Sequence, residues 1–133
     1  MSNLYLLDTC AWLDAFNFPE RLHPDVRSLI RSQSACFLAD ISILEVARKA
    51  EAGDLILSDS LAQWFESALP PGRIQVLPIT SRIAVESVWL PAPFHKDPAD
   101  RLIVATARIH GLIVITSDQK ILEYPHVRSV ASR

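Results

Sequence analysis

The stretch "DPADRLIVATARIHGLIVITSD", residues 97–118, contains a whole helix-to-strand passage. Asp97 suits an N-cap, Pro98 fits the first helical position, and Asp100 stands where the acid of a capping box stands. The apolar residues that follow carry a helix over 98–110, and Gly111 supplies its C-cap. "LIVITSD" is then an apolar run of strand length that ends in an acid, as expected of a strand buried on both faces.

The rest of the chain repeats this alternation. "LYLLD", "ACFLADI" and "RIQVLPI" read as further buried strands, and "VRSV" as a final edge strand. Between them, "TCAWLDAF" spaces Ala11, Trp12, Ala15 and Phe16 as on a helix, and "HPDVRSLIRSQ" is a short amphipathic helix. "SILEVARKAEAGDL" is a helix stopped by Gly53, and "DSLAQWFESAL" one broken by "PPG". "TSRIAVESVWL" is a helix opened by Thr80 or Ser81, "PAPFHK" a proline-rich loop, and "QKILEYP" a helical turn. Apolar strands alternating with helices predict an α/β fold whose parallel sheet is covered on both faces. Right-handed crossovers put the loops that follow the strands on one edge.

The 133 residues suit one domain over residues 1–133, and no repeat, low-complexity tract or linker divides them. Half the residues are hydrophobic and 21% charged, enough for a packed core. No apolar run approaches the ~20 residues that span a bilayer, and "MSNLYLLDTC" lacks a basic leader region, so the chain reads as cytosolic without a membrane partner. Cys10 and Cys36 show no metal spacing and read as core thiols. His23, His95, His110 and His126 fall outside any HxxxH pattern, so no zinc site is expected. A net charge of −2 argues against passive nucleic-acid binding. It leaves open an enzyme that meets phosphates through a metal ion.

The acids then fall into line. Asp8 ends the first strand, Asp118 ends "LIVITSD", Glu45 lies in the first turn of the helix after "CFLAD", and Asp97 and Asp100 open the quoted helix. In open α/β sheets, sites form outside the carboxyl ends of the strands. Each acid also has a reading as a helix cap. Asp8 can cap the helix at Thr9, Ser42 and Glu45 spell a capping box, and Asp118 can cap the turn at Gln119. Such placements are worth roughly 0.3–1 kcal/mol each. Together the caps explain less, because serine or threonine would cap without crowding like charges. Converging carboxylates repel unless a cation neutralises them, and all-oxygen ligation suits Mg2+ or Mn2+. Asp14 is expected to face solvent and Asp40 to cap the helix bearing Glu45. Glu51, Asp54, Asp59, Glu66, Glu86 and Glu123 read as surface charge.

"LYLLDTCAWLD", "ISILEVARKAEAGDL", "HKDPADRLIVATAR" and "LIVITSDQKIL" resemble, in order, the PIN-domain ribonucleases, specifically the VapC-like toxins of bacterial toxin–antitoxin pairs. The resemblance runs from Leu4 to the region of Leu122, and "DPADRLIVATA" followed by "TSD" is its most specific part. It implies a three-layer α/β/α sandwich with a central parallel sheet and a metal-dependent endoribonuclease. Residue by residue, Asp8, Glu45, Asp100 and Asp118 match the four acids, so none is missing. Asp97 matches the extra aspartate of a "DPxDR" variant, which joins the site or acts as a cap, and Thr116 matches a hydroxyl position beside the acids. On this reading Asp8 and Asp100 ligate Mg2+ (or Mn2+) directly. Glu45 and Asp118 complete the site, on a second ion or through held waters.

Arg48, Lys49, Lys96 and Arg101 flank the acids and are candidates for the RNA backbone, with solvated helix charge as the alternative. The resemblance also implies a homodimer, and an antitoxin segment in a hydrophobic groove, with higher assemblies formed alongside it. Trp12 and Phe16 are the candidates for that groove. The first assignment for Trp12, Trp64, Phe65 and Trp89 is nevertheless the core, with the groove or dimer surface as the alternative. An aspartate-nucleophile phosphatase is disfavoured because Cys10 stands where its general acid belongs. The non-enzymatic rival, a PIN-like scaffold binding a protein or RNA, is disfavoured by the complete set of acids.

Overall fold

The computed structural model describes residues 3–133. The chain runs β1 (Tyr5–Leu7), α1 (Thr9–Asn17), a 3-10 turn (Pro19–Arg21), α2 (Pro24–Ser32), β2 (Cys36–Ala39) and α3 (Ile41–Glu51). It continues through α4 (Leu61–Ala68), β3 (Ile74–Leu77), α5 (Ser81–Val88), α6 (Pro98–His110), β4 (Ile113–Thr116), α7 (Gln119–Leu122) and β5 (Ser129–Ala131). The expected elements are all present, and the short turn at Pro19 is the addition. The five strands form one sheet in the order β3-β2-β1-β4-β5, with each neighbouring pair parallel. The chain thus steps outward from β1 to β3, returns to β4 beside β1, and steps outward again. That reversal opens a crevice beyond the carboxyl ends of β1 and β4.

The period of two along each strand explains why these runs are apolar throughout. Tyr5 and Leu7 of β1, Leu38 of β2, and Ile113 and Ile115 of β4 face one core, with Trp12, Val26, Val46, Trp64 and Ala68 from α1 to α4. Leu6, Ala39 and Val114 face the other, with Ile103, Val104 and Ala107 of α6, Ile121 of α7, and Leu90 and Tyr124. Each face is therefore covered by helices, giving the α/β/α sandwich. Gly111 ends α6 at φ 67°, in the left-handed region, where a side chain would be strained.

Four expectations about single residues fail here. Trp12 is wholly buried: its indole N–H donates to the Ala68 carbonyl at 2.8 Å, and its ring centroid lies 4.9 Å from that of Trp64. It is a core residue and cannot anchor an antitoxin segment; Phe16, one turn on, is 37% exposed. Trp89 is 77% exposed, because α5 ends at Val88 and the next residue, Leu90, takes the buried place. Asp14 is buried rather than solvated, since Arg133 folds over α1 and grips its carboxylate through Nε at 2.9 Å and Nη2 at 3.2 Å. A charge is tolerated out of water when it is paired in this way. Cys36 is buried as expected, but Cys10 is exposed. Among the described residues no helix is long and apolar enough to cross a membrane.

Candidate functional site

Asp8 is the residue at which β1 stops. Its backbone N–H still donates to the Ile115 carbonyl of β4, while its side chain begins α1 by accepting from Ala11 N at 2.8 Å. The other carboxylate oxygen accepts a hydrogen bond from the Thr116 hydroxyl. That hydroxyl in turn accepts from Asp118 N at 2.9 Å. One threonine therefore ties the acid after β1 to the backbone of the acid after β4. Asp118 also caps α7, accepting from Lys120 N at 2.9 Å. The capping readings of Asp8 and Asp118 hold, and capping leaves lone pairs on both carboxylates for a further partner.

Glu45 comes to the same edge by another route. The Thr9 hydroxyl donates to Glu45 Oε1 and stands 2.8 Å from Ser42 Oγ. Ser42 is fully buried, and α3 has no side-chain cap. The S-x-x-E spelling is thus not a capping box: both side chains reach across to the start of α1. Asp40 does not cap α3 either. Its residue is already helical, at φ −62° and ψ −25°, and its Oδ2 accepts from Ile79 N at 3.0 Å, linking the ends of β2 and β3. Asp97 does cap α6, accepting from Asp100 N at 3.1 Å.

Burial and mutual repulsion leave their mark on two of these groups. Asp8 is raised from 3.8 to about 6, chiefly by burial. The hydrogen bonds from Thr116 and Ala11 oppose that shift, and the charges of Asp118 and Glu45 add to it. Asp100 is raised from 3.8 to about 7, again chiefly by burial, then by the charges of Asp97, Asp118 and Glu45. The charges of Asp118 and Glu45 act on both, so all four acids belong to one electrostatic neighbourhood. Carboxyls held this far above their ordinary range are under-neutralised, as expected of a cation-binding site.

The tightest grouping of donor atoms among the described residues is one that the sequence did not single out. One ligand atom each of His95, Asp100 and Asp118 lies within 4.8 Å of the others. Of the two acids expected to ligate directly, Asp100 belongs to this group, together with Asp118, and His95 joins them. The only signal for His95 was its place two residues before the helix cap, since it belongs to no HxxxH pattern. This oxygen-rich set, with one buried nitrogen that makes no hydrogen bond among the described residues, suits a divalent cation.

The basic candidates separate. Arg101 is spent on the fold: Nε donates to the Ser87 carbonyl at 2.8 Å, Nη1 to those of Phe94 and His95 at 3.2 and 3.1 Å, and Nη2 to that of Val88 at 3.2 Å. Four of its five N–H groups are engaged by backbone carbonyls, so its role in the structure is to tie the fold together. Arg48 and Lys96 are exposed. Lys49 is half-buried and lines a cavity with Cys10, Asp14 and Arg133.

Comparison with known proteins gives the family and the fold. A family model described as the PIN domain matches residues 5–127. Ribonuclease VapC22 of Mycobacterium tuberculosis is 33% identical over 112 residues, which cover 84% of this chain and 85% of that protein. Among solved structures, VapBC2 from Rickettsia felis, bound to a DNA fragment from its promoter, superposes with a TM-score of 0.74 at 13% identity. That match covers 98% of this chain and 99% of the other. FitAcB from Neisseria gonorrhoeae gives 0.68 at 24% identity, over 96% and 97% of the two chains.

Proposed function

The chain belongs to the PIN domain family, and on that premise we propose that it is a divalent-metal-dependent endoribonuclease, the toxin of a toxin–antitoxin pair. The observation that carries this reading is the convergence of Asp8, Glu45, Asp100 and Asp118 at the carboxyl edge of the sheet, where two are held protonated to about 6 and 7. A cognate antitoxin and a second copy of the chain are its partners, in one PIN domain over residues 1–133 that acts in the cytoplasm. The ribonuclease relative and the toxin–antitoxin complexes among the structural neighbours support that assignment.

Asp100 and Asp118 would hold the ion, with Asp8 and Glu45 completing its surroundings. Mg2+ is the expected metal and Mn2+ the alternative. A divalent ion supplies Lewis acidity toward a phosphodiester and makes an attacking water more acidic. The chain's own residues set the stage for that chemistry. Thr116 and Ala11 N fix the orientation of Asp8, and Thr9 fixes that of Glu45. Asp97 holds the first turn of α6 and with it the backbone of Asp100. The exposed Arg48 and Lys96 give the RNA backbone positive charge outside an edge that would otherwise repel it.

Incubating RNA with the protein and Mg2+ or Mn2+ tests the reading. Cleavage is expected from the wild type, and only background from Asp8→Asn, Asp100→Asn or a chelated sample. Undiminished cleavage by both variants overturns the site. Metal-dependent folding stability without turnover would leave a scaffold.

A further inference from the structure

We propose that His95 is a nitrogen donor to the metal ion held by Asp100 and Asp118, so that the site is a mixed nitrogen–oxygen centre. The inference deepens the metal-site reading above and rests on it. His95 Nε2 lies 3.2 Å from Asp100 Oδ2. Donors on neighbouring vertices of an octahedral ion, with bonds of ~2.1 Å, stand about 3 Å apart. The same ring nitrogen is buried and makes no hydrogen bond among the described residues, although the carboxylate is so close. A buried ring nitrogen whose close contact with a carboxylate lacks hydrogen-bond geometry is costly unless something else satisfies it. A cation placed toward Asp100 and Asp118 satisfies the nitrogen and both carboxylates at once.

The fold also holds His95 where a ligand must be held. Arg101 follows Asp100 directly on α6, and its guanidinium donates to the carbonyls of Phe94 and His95. The loop that carries the imidazole is therefore fastened to the helix that carries the carboxylate. The Phe94 ring packs 4.5 Å from the imidazole, centroid to centroid, and restricts its rotation. Ligands supported from behind in this way keep their geometry without the metal. Imidazole favours transition metals, whereas Mg2+ prefers oxygen and water, so His95 biases the site toward Mn2+.

Pulsed EPR of the intact protein loaded with Mn2+ alone tests this without requiring turnover. The wild type should show coupling to a directly bonded nitrogen, and His95→Gln should lose it. Calorimetric titration should find Mn2+ binding weakened about tenfold or more in His95→Gln, with Mg2+ binding changed far less. Asp100→Asn is the control for the underlying site and should weaken both metals. If wild-type Mn2+ shows no nitrogen coupling while Asp100→Asn abolishes binding, His95 is not a ligand and the acidic site stands. If Asp100→Asn binds both metals like the wild type, the underlying site is wrong and this inference falls with it.

Discussion

Thr116 donates to Asp8 and accepts from Asp118 N, so a single buried hydroxyl sets the state of one acid and the position of another. Replacing it with valine keeps the shape and removes the donor. The Thr116 hydrogen bond opposes the burial that raises Asp8 to about 6, so Thr116→Val should push Asp8 higher still. A hydrogen bond to a charged group is worth roughly 1.5–3 kcal/mol, which corresponds to about one pH unit or more. The carboxylate form then requires a higher pH, and the acidic limb of the cleavage profile should move upward by about that amount. An unmoved limb would show that Asp8 does not control it. Asp8, Asp100 and Asp118 were legible because each follows an apolar run or opens a helix in plain sequence. Glu45 is legible as a site acid, with a capping box as the alternative, because S-x-x-E is spelled identically whether its side chains turn back or reach across; the hydrogen bond from Thr9 removes the capping alternative. Asp14 and Arg101 were misread for a related reason. Arg133 lies 119 residues from Asp14, and the carbonyls that consume Arg101 belong to a loop with no pattern of its own.

The elements themselves were legible almost throughout, since both faces of each inner strand are covered and the apolar runs announce it. The failures sit where one element leans on another. Trp12 has helical spacing that fits a groove as well as a core, and only the Ala68 carbonyl of α4 decides the matter. Trp12→Ala should therefore cost about 3–5 kcal/mol in a denaturant titration, as large aromatic deletions in cores do. A protein of unchanged stability that had lost antitoxin binding would restore the groove assignment. Arg101 plays the corresponding part on the opposite face, joining α6 to the end of α5 and to the loop before α6. Arg101→Ala leaves four carbonyls without this donor and should lower stability by on the order of 2–4 kcal/mol. Arg101→Lys should recover only part, because an ammonium lacks the planar fork that reaches several acceptors at once. Hydrogen exchange should report the difference as faster opening of the segment around Phe94 and His95. Equal protection in Lys and wild-type proteins would mean that charge, not geometry, holds the loop.

Across the whole molecule, the acidic edge makes stability depend on pH and on metal. Unfolded, Asp8 and Asp100 release their protons near the ordinary value of 3.8; folded and metal-free, they hold them to about 6 and about 7. Between these limits the folded state binds more protons than the unfolded chain, so stability falls as pH rises. The contribution is complete below about pH 4, declines through about 6 and 7, and is gone above that. Asp8 is buried and contributes most of the loss, while the part-exposed Asp100 contributes less through solvent screening, so the loss is on the order of a few kcal/mol, or several degrees in Tm. Thermal melts of chelator-treated protein should therefore show a lower midpoint at pH 8 than at pH 5. Mg2+ or Mn2+ binds the ionised carboxylates of the folded state alone, so adding either should raise the midpoint at pH 8 and do little at pH 5. Asp100→Asn removes one of the two protons from the balance, and its metal-free midpoint should vary less with pH than that of the wild type. A midpoint that rises from pH 5 to pH 8 without metal, or one that metal leaves unmoved at pH 8, would mean that these carboxylates are neutralised within the fold and do not await a cation.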